Sequence, residues 1–389
     1  MGSPTPLESG RRGEKIRGDV WMSFEPGEQS LELNLQSKLE TLFGDSTRQL
    51  LLELCQGAGL KTGCLMVEDS GAYPFVLRAR LESLLRLVLE DPRLELPVEC
   101  NVTGKDALNT NSVPDRPRRS RLYLPGNEPK YMLHAAIHGP DGLILDLEDS
   151  VAPSAKHDAC SLVRHALWSL DFESCERMVR INQGKDGIKD LASLGNAPFE
   201  LVLIPKVETA EEVVAVAEAA PEKLLMPILE SAAGVQNAPS IAAAHESVVA
   251  LTLGLEDLTA DLGVVKTPKG METLFARSFV VQAAKAQGLQ AIDSVYGDVA
   301  DETGLRASVQ EAKAIGFEGK GCVHPRQIRI VHEEFAPSEK ELEKARKIVA
   351  AFEEAEAQGL GVVSLGSKMI DPPVVKRALN LVRQAEKNS

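Results

Sequence analysis

The chain has 389 residues and a formal net charge of −14, with 43% hydrophobic and 26% charged residues. That length exceeds one small domain and fits a large domain plus a small one, with enough apolar side chains for ordinary cores. The acidic balance argues against a nucleic-acid surface and against anionic membrane, although local basic residues decide whether a small anionic substrate binds. No apolar run approaches the ~18 residues of a membrane span. The first residues lack the apolar stretch of a signal peptide, so the expected location is the cytoplasm. Six scattered cysteines, with no C-x-x-C pair and no zinc spacing, read as reduced, buried thiols.

In chain order, a polar start containing "PLESG" (Pro6–Gly10) precedes a compact α/β unit over residues 19–91. "DVWMSFEP" and "LELNLQS" alternate as strands, and Pro26-Gly27 between them predicts a hairpin turn. A helix is predicted from Lys38 to Cys55, a strand over "TGCLMVEDSG", and an amphipathic helix over "AYPFVLRARLESLLRLVLED", where Pro74 is tolerable only in the first turn. Residues 98–117 gather Asn, Thr, Asp and Pro without periodicity and read as a linker. As flexible coil, ~20 residues span roughly 25 Å r.m.s. and about 65 Å when extended, enough to carry the small unit, taken as residues 1–97, to its own or a neighbouring domain.

From Ser120 onward strands and helices alternate: "RLYLPG", "GLILDLED", "RMVRIN", "ELVLIPKVE", "KLLMPILES", "VVALTLGLED", "LQAIDSVY" and "GKGCVHP" are separated by helical patterns. Eight apolar strands alternating with helices predict an α/β fold, a (β/α)₈ barrel over residues 118–336, with a doubly wound sheet as the rival. Residues 337–389 form a helical C-terminal segment. In such a barrel the active site gathers at the C-terminal strand ends. Those ends offer Asp146, Glu148 and Asp149, Arg180 and Asn182, Lys206 and Glu208, Glu230, Glu256 and Asp257, Asp293, and His324. Each alone is an ordinary solvated charge; their agreement across so many strands predicts a site.

Carboxylates without a His or Cys cluster favour a hard cation such as Mg²⁺. A guanidinium at a strand end suits bidentate capture of a substrate carboxylate. Together they point to aldol- or Claisen-type carbon–carbon chemistry on an oxo- or hydroxy-acid, or to phosphoenolpyruvate chemistry. "HAAIH" (His134, His138) has the spacing of a helical metal pair but no third ligand motif, and reads as a helix face.

The segments "RSRLYLPGNEPKYM", "DGLILDLEDSVAPSAK", "VRIN", "IPKVE", "PILESAAGV", "LGLEDLTADLG", "ETLFAR", "GKGCVHPRQI" and "GSKMIDPPVVKRA", in order from Arg119 to the C-terminus, resemble the citrate lyase β subunit and its malyl- and citramalyl-CoA lyase relatives. The resemblance implies a Mg²⁺-dependent (β/α)₈ lyase. It makes Glu230 and Asp257 the metal carboxylates and Arg180 the grip on the oxo-acid carboxylate. Glu148 and Asp149 then line the pocket, and Lys130 and Lys156 meet phosphates of the thioester arm. Asp371 of "MID" becomes a general acid/base reaching a neighbouring subunit, which implies an oligomer, expected as a trimer. Asp371 also reads as a helix N-cap, since "DPPVVKRALNLV" begins a helix.

"LESG…DVWMSFEP", "LQSKLETLFGDSTRQLLLE" and "VEDSGAYPFVLRARLESLL", over residues 5–91, are similar to the citrate lyase γ subunit, an acyl carrier. That resemblance makes Ser9 the attachment site of a phosphoribosyl-dephospho-CoA arm, which contains phosphopantetheine. The inserted "RRGEKIRG" after Gly10 places Ser9 on a longer, mobile, basic tether. The implied reaction is cleavage of citryl-S-carrier to acetyl-S-carrier and oxaloacetate, with an α-like acyl-transferase as partner protein. The alternatives are a lyase acting on citramalyl-, malyl- or citryl-CoA with an accessory carrier, which "VHPRQI" and "IPKVE" favour, and a carrier scaffold with an idle barrel.

Overall fold

A computed structural model describes residues 7–100, 112–267, 269–357, 363–365 and 368–387. The small unit contains β1 (Glu8–Gly10), β2 (Val20–Ser30), β3 (Glu32–Ser37), α1 (Glu40–Gly57), β4 (Thr62–Asp69) and α2 (Pro74–Val88). Pro74 stands in the first turn of α2, where its missing N–H is harmless.

The expected hairpin between the first two strands is not formed. The sheet order is β1-β2-β4-β3, so β4 lies between them, antiparallel to β2 and parallel to β3. β2 runs on through Pro26-Gly27 to Ser30, and the β2–β4 register shifts between Glu25 and Ser30. Strand β4 alternates buried and half-buried residues, with Leu65 and Val67 on the core side. As the central strand it needs a partner on both edges, and the Pro-Gly pair is spent on a bulge rather than a turn.

The barrel consists of β5 (Ser120–Pro125), β6 (Gly142–Asp146), β7 (Glu176–Arg180), β8 (Leu201–Ile204), β9 (Leu224–Leu229), β10 (Ala250–Leu253), β11 (Gln290–Asp293) and β12 (Gly319–Cys322). All neighbours are parallel and β12 pairs with β5, closing the ring. The doubly wound alternative is thereby excluded. β6 and β8 are buried at every position, the pattern of parallel strands covered on both faces. Around the strands run α3 (Pro129–Met132), α4 (Lys156–Ser169), α5 (Gly184–Leu194), α6 (Ala210–Ala219), α7 (Ala232–Gln236), α8 (Ala238–Ala242), α9 (Leu255–Asp261), α10 (Leu274–Ala286), α11 (Glu302–Ile315) and α12 (Arg326–Phe335). Helix α6 opens with a capping box between Thr209 and Glu212.

The C-terminal segment holds α13 (Glu339–Ala357), β13 (Val363–Leu365), β14 (Lys368–Ile370) and α14 (Pro372–Lys387), so a short antiparallel hairpin joins its two helices. Ile348, Val375 and Ala378 belong to an apolar cluster separate from that of the barrel. Of the cysteines, Cys55, Cys160, Cys175 and Cys322 are buried as expected, whereas Cys64 is half-buried and Cys100 exposed. Burial pushes the Cys55 thiol up to about 12. No helix among the described residues is long and apolar enough to cross a membrane.

The small unit is docked on the barrel. Helix α2 packs against α4, and one apolar cluster takes in Leu81 and Leu85 of the unit together with Leu162 and Val163 of the barrel. Residues 101–111, the middle of the expected linker, lie outside the described residues. Both flanks of that linker are fastened: Leu96 is buried and Ser169 Oγ donates to the Glu99 carbonyl, while buried Arg118 pairs with Glu176 at 2.7 Å.

At the centre of the seam, Glu82 is fully buried. Its Oε2 accepts from the Leu96 N–H at 2.8 Å, Arg164 Nη2 at 2.6 Å and His165 Nε2 at 3.0 Å, and Oε1 pairs with Arg86 at 3.0 Å. Burial alone would raise the Glu82 carboxyl. The hydrogen bond from His165 and the charges of Arg164 and Arg86 outweigh it and bring the group down to about 2. Burial pushes the His165 imidazole below its ordinary range.

Because the folded value of Glu82, about 2, lies below its ordinary 4.5, its stabilisation is present above pH 4.5 and lost as pH falls toward 2. Glu82→Gln is expected to lower the unfolding free energy at neutral pH by about 3 kcal/mol. The gap from the parent should close as pH falls from 4.5 to 2. Urea unfolding followed by tryptophan fluorescence measures both, and a gap independent of pH contradicts the assignment.

Candidate active site

The barrel register assembles the site. Asp146 and Arg180, the last residues of β6 and β7, are direct cross-strand partners. Arg180 Nε and Nη2 donate to the two Asp146 oxygens at 2.6 and 2.7 Å, a bidentate pair. Asp146 also accepts the N–H groups of Glu148 at 3.0 Å and Ser150 at 3.2 Å. Burial alone would raise the Asp146 carboxyl, but Arg180 and these donors hold it below the usual carboxylate range. Arg180 Nη1 lies 3.0 Å from Glu148 Oε2, and the guanidinium lies over the Tyr123 ring at 5.2 Å. Nη1 also lies 3.9 Å from Asp149 Oδ2, and the N–H groups not directed at Asp146 or Glu148 are those open to an incoming anion.

A second cation completes the floor. Lys206 Nζ donates to Glu148 Oε1 at 2.6 Å and Asp149 Oδ1 at 3.1 Å, and its backbone N–H donates to Glu230 Oε1 at 2.8 Å. Its φ of +51° is left-handed, which costs a non-glycine residue on the order of 1 kcal/mol. This conformation aims the N–H at Glu230 and the side chain at Glu148 and Asp149. Burial and the Asp149 charge keep the Glu148 carboxyl above its ordinary range despite Lys206 and Arg180. Asp149 is held below its own, as Lys206 and the Glu148 partnership outweigh burial.

Glu230 is 5% exposed at the end of β9. Burial raises its carboxyl to about 7, with the charges of Asp257 and Glu148 adding to the effect. Asp257, half-buried in the first turn of α9, is near enough for its charge to act on Glu230. Gly254 precedes that helix, and a Cβ there would stand 2.3 Å from Glu230 Oε2, so glycine makes the room that the carboxylate occupies. A buried carboxylate, Glu230, beside a half-buried one, Asp257, is a pair of oxygen donors that fits a hard divalent cation. Among the described residues no group of three or more His, Cys, Asp or Glu side chains forms a metal cage. Mg²⁺ commonly takes one or two carboxylates and keeps waters, and Glu230 and Asp257 supply that number.

The structure thus brings Arg180, Glu148, Asp149, Glu230 and Asp257 together. Lys156 turns inward: its Nζ donates to the carbonyls of Leu147 and Glu148 at 3.0 Å and to Asn182 Oδ1, so it braces the loop after β6. Lys130 is exposed beside Glu128 at 3.4 Å. Asp371 is exposed, and its carbonyl accepts the N–H groups of Val374 and Val375 at the start of α14. Among the other strand-end residues, Asp293 is consumed by Arg277 and Lys320, at 3.1 and 2.7 Å. Sequence reasoning gave no role to Asp146 or Lys206, because only the register and the left-handed turn reveal what they hold.

Ser9 is not on a mobile tether. It lies in β1, paired with Met22 of β2, is 2% exposed, and donates from Oγ to Asp158 Oδ1 at 2.6 Å. The insertion after it is anchored by Arg11, which donates to Asp19 at 3.2 Å and to Glu128 Oε2 at 2.8 Å.

Residues 119–325 match the HpcH/HpaI aldolase/citrate lyase family. Residues 13–87 match an acyl carrier family described as malonate decarboxylase delta subunit, a match that begins after Ser9. The citrate lyase subunit beta of Haemophilus influenzae is 38% identical over 69% of this chain and 97% of its own length. A (3S)-malyl-CoA thioesterase of Cereibacter sphaeroides is 37% identical over 69% of this chain and 95% of its own. Among solved structures, a Mycobacterium tuberculosis citrate lyase beta subunit complexed with oxaloacetate and magnesium is 34% identical, with a TM-score of 0.51, covering 57% of this chain and 98% of that one. The CitE protein of the same organism with magnesium, acetoacetate and coenzyme A is 33% identical, with a TM-score of 0.61, covering 70% of this chain and 100% of that one.

Asp146→Ala takes the bidentate partner from Arg180 and leaves its guanidinium with Glu148 at 3.0 Å and Asp149 at 3.9 Å. It is expected to cost about 3–5 kcal/mol of barrel stability, measured by chemical denaturation. A loss under about 1 kcal/mol would mean that Glu148 and Asp149 suffice to hold Arg180.

Proposed function

Because the chain belongs to the HpcH/HpaI aldolase/citrate lyase family and carries an acyl-carrier domain ahead of the barrel, we propose that it cleaves citryl-S-carrier to acetyl-S-carrier and oxaloacetate. The observation that carries this reading is the pairing of a partly unspent guanidinium, Arg180, with the under-compensated carboxylates Glu230 and Asp257 at one mouth. Arg180 takes the carboxylate of the oxo-acid half through its remaining N–H groups. Glu230 and Asp257 hold Mg²⁺, which when bound polarises the adjoining oxygen of the oxo-acid half. Lys206 keeps Glu148 and Asp149 together on the pocket wall.

The tertiary hydroxyl of the citryl group loses its proton to a base and becomes the keto oxygen of oxaloacetate as the adjoining C–C bond breaks. The bond's electron pair passes to the thioester enolate, and protonation of its carbon gives the acetyl thioester. Asp371 from a neighbouring subunit is assigned that last proton. Its exposure, on a segment with its own apolar cluster, supports the assignment, which requires an oligomer, and the family resemblance makes that a trimer. Ser9 carries the phosphopantetheine-containing arm, from phosphoribosyl-dephospho-CoA, and a separate α-like transferase supplies citryl groups to it.

The second reading, a lyase acting on free CoA thioesters, is favoured by the 37%-identical malyl-CoA thioesterase and by a solved neighbour with coenzyme A. Intact-mass analysis with peptide mapping of protein from cells grown on citrate separates the two. An adduct on Ser9 is the expected outcome; an unmodified Ser9 together with turnover of free CoA thioesters replaces the carrier reading. For the lyase itself, chelation is expected to abolish cleavage and Mg²⁺ to restore it, with Glu230→Gln raising the Mg²⁺ requirement. Arg180→Lys is expected to lower kcat/KM by roughly 10²–10³, because an ammonium cannot hold Asp146 and a substrate carboxylate at once. A variant within about threefold of the parent removes Arg180 from the substrate contacts.

A further inference from the structure

Ser9 is shut inside the seam between the two domains. Besides the Oγ–H bond to Asp158 Oδ1, the Gly10 N–H donates to Asp158 Oδ2 at 2.8 Å, so one carboxylate grips two successive residues of β1. Gly10 has a φ of +80°, and a Cβ there would meet the Val20 carbonyl oxygen at 1.9 Å, so only glycine lets the strand lie this close to β2. Asp158 is 5% exposed. His157 Nε2 lies 3.3 Å and Arg80 Nη1 3.5 Å from it. Arg80, 1% exposed, also holds Asp19 through two bonds of 3.0 Å and donates to the Asn127 carbonyl at 3.0 Å.

The location is as informative as the contact. Asp158 stands in the first turn of α4, two residues after Lys156, which braces the loop carrying Glu148. Asn127 and Glu128 follow β5, on the same C-terminal face of the barrel. The serine is therefore held against the start of α4, where the chain enters that helix from the C-terminal end of β6.

We propose that Asp158 is a seat for the unmodified serine alone: the carrier domain stays closed on its own barrel until Ser9 is esterified, and esterification opens it beside the mouth. The proposal rests on the reading of Ser9 as the attachment residue. Attachment from a phosphoric anhydride donor forms an Oγ–P bond, breaks a P–O bond of the anhydride, and releases the remaining phosphate portion as leaving group and the hydroxyl proton to solvent. The product oxygen has no hydrogen to give Asp158. Its phosphodiester sets a negative charge against the carboxylate, and at 2% exposure Ser9 cannot carry the group to solvent without the strand moving. Loading also requires the donor enzyme to reach Ser9, so the seat must open transiently before the reaction and cannot re-form after it.

The test uses the full-length chain with phosphoserine placed at position 9 by genetic encoding, as a probe of the added anion. Hydrogen exchange read by mass spectrometry compares it with the unmodified chain. Exchange over β1, over residues 92–99 and over the first turns of α4 is expected to rise by about tenfold or more, with α11 unchanged. Asp158→Ala in the unmodified chain is expected to open the same segments. Seam exchange as slow in the phosphoserine chain as in the parent overturns the proposal, and so does a slow seam in Asp158→Ala. An unmodified Ser9 in native protein defeats the attachment reading but leaves the phosphoserine comparison intact, so the two failures are distinguishable.

Discussion

Asp146 and Arg180 face each other across adjacent parallel strands, and the site depends on that one register. A slip of one residue would turn either side chain to the other face of the sheet and leave a guanidinium or a carboxylate unpaired in the barrel interior. With the register set, Asp146 fixes the guanidinium side-on and organises the loop after β6 through the N–H groups of Glu148 and Ser150. Glu148 then meets Arg180 and Lys206 together, and Lys206 passes the constraint on to Glu230 through its own backbone N–H. The mouth is one connected set of charges fixed by backbone geometry.

Preorganisation of this kind has an electrostatic cost, and the site carries it in one place. Arg180 and Lys206 compensate Asp146, Glu148 and Asp149, whereas Glu230 is buried with the charges of Asp257 and Glu148 nearby, and burial first, then those charges, raises its carboxyl to about 7. A site built to receive a cation and an anionic substrate has this asymmetry: donors saturated where they must hold shape, and unsaturated where something must bind.

The seam between the domains follows the same logic with a different purpose. Leucines and valines from both sides merge into one apolar cluster, while Asp19, Glu82 and Asp158 sit buried among Arg80, Arg164 and His165. Buried ion pairs add less net stability than apolar contacts of the same size, but they tolerate no sliding. They hold the carrier domain in one orientation, with its "ESG" strand against α4.

The sequence by itself determined the eight strands, the helices between them and the identity of most mouth residues. Buried parallel strands read as apolar runs, and the polar residues that interrupt those runs fall at the strand ends, so Arg180, Glu230 and Asp257 were legible from pattern and motif. The tertiary structure decided everything that depends on which strand lies beside which. β4 inserts between β2 and β3, a pairing that Pro26-Gly27 does not announce, because a bulge and a turn draw on the same residues. Asp146 and Lys206 acquire roles only through register and a left-handed backbone. Lys156 turns toward carbonyls rather than toward a ligand. Ser9, in a polar stretch that reads as a loose end, is buried because Asp158, 149 positions away in sequence, accepts its hydroxyl. Local propensity carries no information across such a separation; only the closed fold brings the two groups together.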